Sequence, residues 1–124
     1  MTKFCKEERL CSKKGISHLF TNGITFLNHP FTIKWIETAS PQLYPVQLLA
    51  VVPKRNFKKA VDRNKIKRLI KEAYRNQKES LFTALNNKNK NLALMLIFSG
   101  KKMTTYKETE IKINVILQQL VQSV

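Results

Sequence analysis

Apolar residues recur along this chain with two different periods, and the points where the period changes divide it into elements. Ile16, Leu19 and Phe20 stand three and four apart, the spacing of one helix face, and predict a short helix over residues 12–21. Ser12 is suited to cap its start, and Gly23 to end it in the left-handed conformation that glycine adopts without strain. Phe31, Ile33 and Trp35 then alternate with Thr32, Lys34 and Ile36, a period of two that predicts a strand. Residues 39–45 contain two prolines and read as a loop, and residues 46–52 read as a second, more buried strand that Pro53 ends.

After residue 59 the helical period returns. Ile66, Leu69, Ile70, Ala73 and Tyr74 form one stripe, and the pattern continues through Leu81, Phe82 and Leu85. Asp62 lies where a negative charge favours the positive amino end of that helix. Residues 86–91 make a polar, Asn/Lys-rich turn, and the unbroken apolar run 92–98 has the length of a strand. Strand, helix and strand in this order predict a crossover unit whose two strands lie parallel. Thr105 and Glu108 are spaced as a capping box opening a last helix, with Ile113, Ile116, Leu117, Leu120, Val121 and Val124 as its stripe. At 124 residues and 43% hydrophobic content, one domain over residues 1–124 with a single core suffices, and residues 1–11 read as a mobile basic start.

Charge then separates one of these elements from the rest. The chain carries 23 Lys and Arg against 8 Asp and Glu, a formal net charge of +15. Residues 54–78 alone hold eleven Lys or Arg and two acids, which is nine of those fifteen charges. Asn64, Arg68, Lys71 and Arg75 project opposite the apolar stripe, with Arg63, Lys67 and Lys78 flanking it. A basic helix face is often merely solvated, but such faces usually interleave Glu with Lys, and this one does not. Crowded like charges repel by a few tenths of a kcal/mol per close pair, and a polyanion such as nucleic acid relieves that repulsion.

Catalytic chemistry finds little support in the residues. There is no Gly-rich phosphate loop and no nucleophile in a recognisable setting, and the acids are too scattered for a two-metal site, so no catalytic or metal-binding residue is assigned. Cys5 and Cys11 read as free, reduced thiols, and with His18 and His29 they lack the spacing of a zinc site. The longest apolar runs are too short to span a bilayer and the amino terminus has no apolar signal region, so the expected location is cytoplasmic with no membrane partner. Phe20, Phe31, Trp35 and Tyr44 surround the first strand region, either as core rings or as a stacking platform for single-stranded nucleic acid.

The run AVDRNKIKRLIKEAYR over residues 60–75 resembles the signature of the bacterial ribonuclease P protein family. There a small residue and Val lead into an Arg-Asn-Arg element, then Ile-Lys-Arg and a basic amphipathic helix. Arg9 and Leu10, the helix ending at Phe20, then Gly23, Phe31, residues 48–55, the strand 92–99 and the helix after Thr105 follow the family's order. The resemblance implies an α+β fold: a single-domain α/β sandwich with a four-stranded sheet and a left-handed βαβ crossover, contrary to the usual right-handed rule, in a ribosomal-protein-like RNA-binding fold. It also implies a subunit of a tRNA-processing endonuclease whose RNA does the chemistry. The partners would be one catalytic RNA per protein and the single-stranded 5′ leader of precursor tRNA, with Mg²⁺ held mainly by the RNA subunit and substrate.

Carried over by position, Arg63, Asn64, Lys65, Lys67, Arg68, Lys71 and Arg75 would contact the catalytic RNA, supported by Lys54, Arg55, Lys58 and Lys59 from the preceding loop. Phe20, Phe31, Lys34 and Trp35 would line the leader cleft. The chain departs from the family at Lys65, which replaces the last Arg of the signature and loses its bidentate fork, and at Ile16 and Lys34, which replace frequent aromatics. The competing reading is a ribosomal or general RNA-binding protein without a role in cleavage, which specific affinity for ribonuclease P RNA would separate.

Overall fold

The computed structural model describes residues 13–38 and 45–123; the expectations placed on residues 1–12, on residues 39–44 with Tyr44, and on Val124 lie outside them. The elements run α1 (Lys13–Asn22), β1 (Ile24–Asn28), β2 (Phe31–Thr38), β3 (Val46–Val51), α2 (Ala60–Gln77), α3 (Glu79–Lys88), β4 (Asn91–Phe98) and α4 (Tyr106–Ser123). The strands form one mixed sheet in the order β1-β2-β4-β3. β1 and β4 each pair antiparallel with β2, and β3 pairs parallel with β4 through the crossover formed by α2 and α3.

Register explains why β4 reads as unbroken apolar sequence. Trp35 pairs with Leu94 and Leu94 with Leu48 on one face, while Lys34 pairs with Met95 and Met95 with Leu49 on the other. The first face carries Phe31, Ile33, Trp35, Leu48, Leu94 and Leu96 against Ile66, Ile70, Ala73 and Tyr74 of α2 and Ile113, Ile116, Leu117 and Leu120 of α4. The second face packs Ala93 and Met95 against Leu19 of α1, with Ile16, Ile36, Leu49, Val51 and Ile97 around them. A strand covered on both faces must be apolar at nearly every position.

Several local expectations are corrected. The residue pattern picks out three strands; the fourth, β1, is an edge strand whose Ile24 and Leu27 are largely exposed, so it lacks a buried alternation. The long central helix divides at Lys78, and α3 runs on to Lys88, which makes the first half of the expected turn at 86–91 helical. Asn89 ends α3 in the left-handed region at φ 56°, its N–H meeting the carbonyls of Asn86 and Leu85. Gly23 takes no positive φ. Its N–H donates to the Leu19 carbonyl at 2.8 Å, and an added Cβ would collide with that carbonyl and stand 2.9 Å from Leu19 Cδ1, so close approach is what requires glycine. The capping box forms by half: Thr105 Oγ1 accepts from the Glu108 N–H at 3.3 Å, but the Glu108 carboxylate accepts from the Thr104 hydroxyl at 3.2 Å. Among the described residues no helix is long and apolar enough to cross a membrane.

Candidate nucleic-acid interface

The stripe on α2 decides where its charge goes. With Ile66, Ile70, Ala73 and Tyr74 buried, Asn64, Lys65 and Arg68 are left exposed, and Lys67, Lys71 and Arg75 are half-buried along its shoulders. Lys78 is drawn inside instead: it is 6% exposed, with its ammonium 5.3 Å from the centre of the Phe82 ring. Arg75 is ion-paired with Glu72 one turn earlier. The hydrogen bond from Arg75 holds the Glu72 carboxyl below the ordinary carboxylate range, and the same bond holds the Arg75 guanidinium above its ordinary value.

The loop between β3 and α2 is ordered by its own backbone and by two side chains. The Asn56 N–H closes a turn on the Pro53 carbonyl at 3.2 Å, and the Phe57 ring is buried with its centre 6.0 Å from that of Phe98. Arg63 Nη1 donates to the carbonyls of Phe57 at 2.7 Å and Lys58 at 2.9 Å. Lys54, Arg55, Lys58 and Lys59 are exposed on the loop so formed. A second basic stretch meets it: Asn56 Nδ2 reaches the Ser99 carbonyl at 3.5 Å, and Pro53, Arg55, Asn56, Ile97, Ser99 and Lys101 line an open groove of about 560 Å³. Asn56, Ser99 and Lys101 are not among the site residues expected from the sequence. The signal for Ser99 and Lys101 is a Ser-Gly-Lys-Lys run at the end of a predicted strand; Asn56 has none beyond its place in the basic loop.

The four residues expected to line a leader cleft divide between the two faces of the sheet. Phe20 is 54% exposed at the end of α1, and Lys34 Nζ lies 5.5 Å from its ring centre and 3.3 Å from Thr25 Oγ1. Phe31 and Trp35 face the other way into the core, 2% and 5% exposed, and Phe31 packs edge-on against Phe98. Neither ring is therefore placed to contact a leader, because strand alternation sends odd and even residues of β2 to opposite faces.

This surface can bind and orient phosphates, through charge and through backbone held in fixed loops. Among the described residues no three His, Cys, Asp or Glu side chains gather to make a metal cage. Glu72 is engaged by Arg75 and Glu37 by Lys90 at 3.0 Å.

A family model described as ribonuclease P matches residues 4–121. A curated ribonuclease P protein component of Chlorobium phaeobacteroides is 39% identical over 84 residues, covering 63% of this chain and 56% of that protein. That of Porphyromonas gingivalis is 32% identical over 83 residues, covering 67% of this chain and 61% of its own length. The chain thus spans less than two thirds of the length of these curated relatives. Among solved structures, the Staphylococcus aureus ribonuclease P protein superposes with a TM-score of 0.73 at 19% identity, covering 90% of this chain and 94% of that one. The Thermotoga maritima protein superposes at 0.67 and 22%, covering 90% and 98%. The two superpositions establish the fold, and the sequence match over nearly the whole chain establishes the lineage: this chain belongs to the ribonuclease P protein family.

Proposed function

We propose that this chain is the protein subunit of a bacterial ribonuclease P, binding the catalytic RNA and the 5′ leader of precursor tRNA during endonucleolytic removal of that leader. The observation that carries this reading is the exposed basic face of α2, continuous in sequence with the ordered basic loop 54–59, on a chain of this family. The α2 residues and the loop, Arg55 included, take the catalytic RNA; Phe20 on α1 and Lys34 beside it take single-stranded leader.

The physical contribution of the protein is electrostatic. Catalytic RNA and precursor tRNA are both polyanions and repel each other, and a chain of net charge +15 between them offsets part of that repulsion. Mg²⁺, which in this reading is held by the RNA and substrate, supplies the electrophilic assistance to phosphodiester hydrolysis. The protein contributes no nucleophile.

The test is cleavage of a precursor tRNA by a bacterial ribonuclease P RNA at low Mg²⁺, with and without this chain. RNA-dependent stimulation of cleavage at the mature 5′ end is expected. Binding of the RNA from the same source without any stimulation would refute the proposal in favour of a general RNA-binding protein.

A further inference from the structure

Three consecutive carbonyls, those of Phe57, Lys58 and Lys59, accept hydrogen bonds from a single residue. Arg63 Nη1 reaches the first two at 2.7 and 2.9 Å, and the Arg63 backbone N–H reaches the third at 3.2 Å. A guanidinium Nη carries two N–H groups in one plane, enough for Nη1 to donate to both loop carbonyls. The half-buried side chain therefore lies back along the amino end of α2, while the side chains of Lys58 and Lys59 stay exposed.

We propose that Arg63 is a positioning residue: it acts on RNA by clamping residues 57–59, so that Lys58 and Lys59 meet phosphates from a loop already in its bound shape. The inference rests on the reading of that loop as an RNA contact. The buried Phe57 ring fixes one end of the segment and the first turn of α2 fixes the other; between them no side chain of the segment itself bonds to its backbone. Lys59, at the helix N-cap position, makes no capping bond. Without the clamp, the two lysines would have to be ordered at the moment of binding, at a cost in conformational entropy that the clamped loop has already met.

The experiment combines Arg63→Met, which removes charge and donors, and Arg63→Lys, which keeps charge without the planar N–H pair, with the double change Lys58→Ala/Lys59→Ala. Affinity for ribonuclease P RNA is measured at fixed salt, and backbone amide exchange over residues 57–61 is measured in the free full-length protein. In the parent, the lysine pair is expected to cost about tenfold in affinity; in the Arg63→Met background it should cost about threefold or less, the non-additivity of residues acting as one unit. Amide exchange over the loop should quicken in Arg63→Met, and RNA affinity should follow loop protection, not charge, in both variants.

Additive losses with unchanged exchange would overturn the inference and leave Arg63 as an independent phosphate contact. Full affinity in Arg63→Lys with a loop that still exchanges fast would overturn it as well. No loss of affinity from the lysine pair in the parent would overturn the underlying reading of the loop, and faster exchange in Arg63→Met would then identify a clamp unconnected with RNA.

Discussion

Ile70 and Arg68 stand two residues apart on α2 and face opposite ways, so exchanging each for alanine should separate stability from binding. Ile70 is fully buried in the core that joins α2 to the sheet and α4, and Arg68 is exposed. Ile70→Ala removes three carbons, about 2.4 kcal/mol of lost transfer free energy at about 0.8 kcal/mol each. A residual void of about 50 Å³ adds about 1.2 kcal/mol, and the better helix propensity of alanine returns a few tenths, leaving about 3 kcal/mol. With an unfolding entropy of about 2.1 cal/mol/K per residue, the 124 residues give about 0.26 kcal/mol/K, so Tm should fall by about 12 °C. Circular dichroism at 222 nm during heating and urea titration measures both quantities. Arg68→Ala should stay within about 0.5 kcal/mol of the parent. It should instead weaken RNA binding and reduce the slope of log affinity against log salt by about 0.7 to 0.9, the loss of one phosphate contact. If Ile70→Ala is as stable as the parent, or Arg68→Ala unfolds it while leaving the salt slope unchanged, the two faces of α2 have been assigned the wrong way round.

Phe31→Ala should destabilise by about 3 to 5 kcal/mol in urea, as loss of a core ring, whereas Phe20→Ala should cost about 1 kcal/mol or less and reduce crosslinking to a photoreactive leader; equal destabilisation by both would contradict the placement of the two rings on opposite faces. Because Arg75 holds the Glu72 carboxyl below its ordinary value of 4.5, the folded state binds that proton less readily than the unfolded chain. The contribution of Glu72 is thus fully present above about pH 4.5 and lost as pH falls through the depressed value. The stability difference between parent and Glu72→Gln should shrink in acid, and a difference that grows there would refute the pairing. Gly23→Ala should lower Tm through collision with the Leu19 carbonyl, and a raised Tm would show that the chain relaxes there without cost.

The division of α2 into a buried and an exposed face is legible in the sequence. The apolar stripe of α2 names its buried residues, with Leu69 half-buried at the margin; of the four residues it places opposite, Asn64 and Arg68 are exposed and Lys71 and Arg75 half-buried. The expected leader cleft of Phe20, Phe31, Lys34 and Trp35 is not one surface. Alternation along β2 already places Lys34 opposite Phe31 and Trp35, so one cleft on the sheet could never have held all three. The joining of Arg55 to Lys101 was invisible, since 46 positions separate them in the chain and only the pairing of β3 with β4 brings their strand ends together.

The sequence by itself determined which residues share a face of each helix and strand, and where positive charge concentrates, because both depend on local periods of 3.6 and 2. The tertiary structure alone decided which sheet face receives α1 and which receives the other three helices, that Ile24–Asn28 pairs as an edge strand, that Lys78 turns inward over Phe82, and that Arg63 spends one nitrogen on its own loop. Those outcomes turn on which segments cover which surfaces, and a residue's own neighbours in the chain carry no record of that.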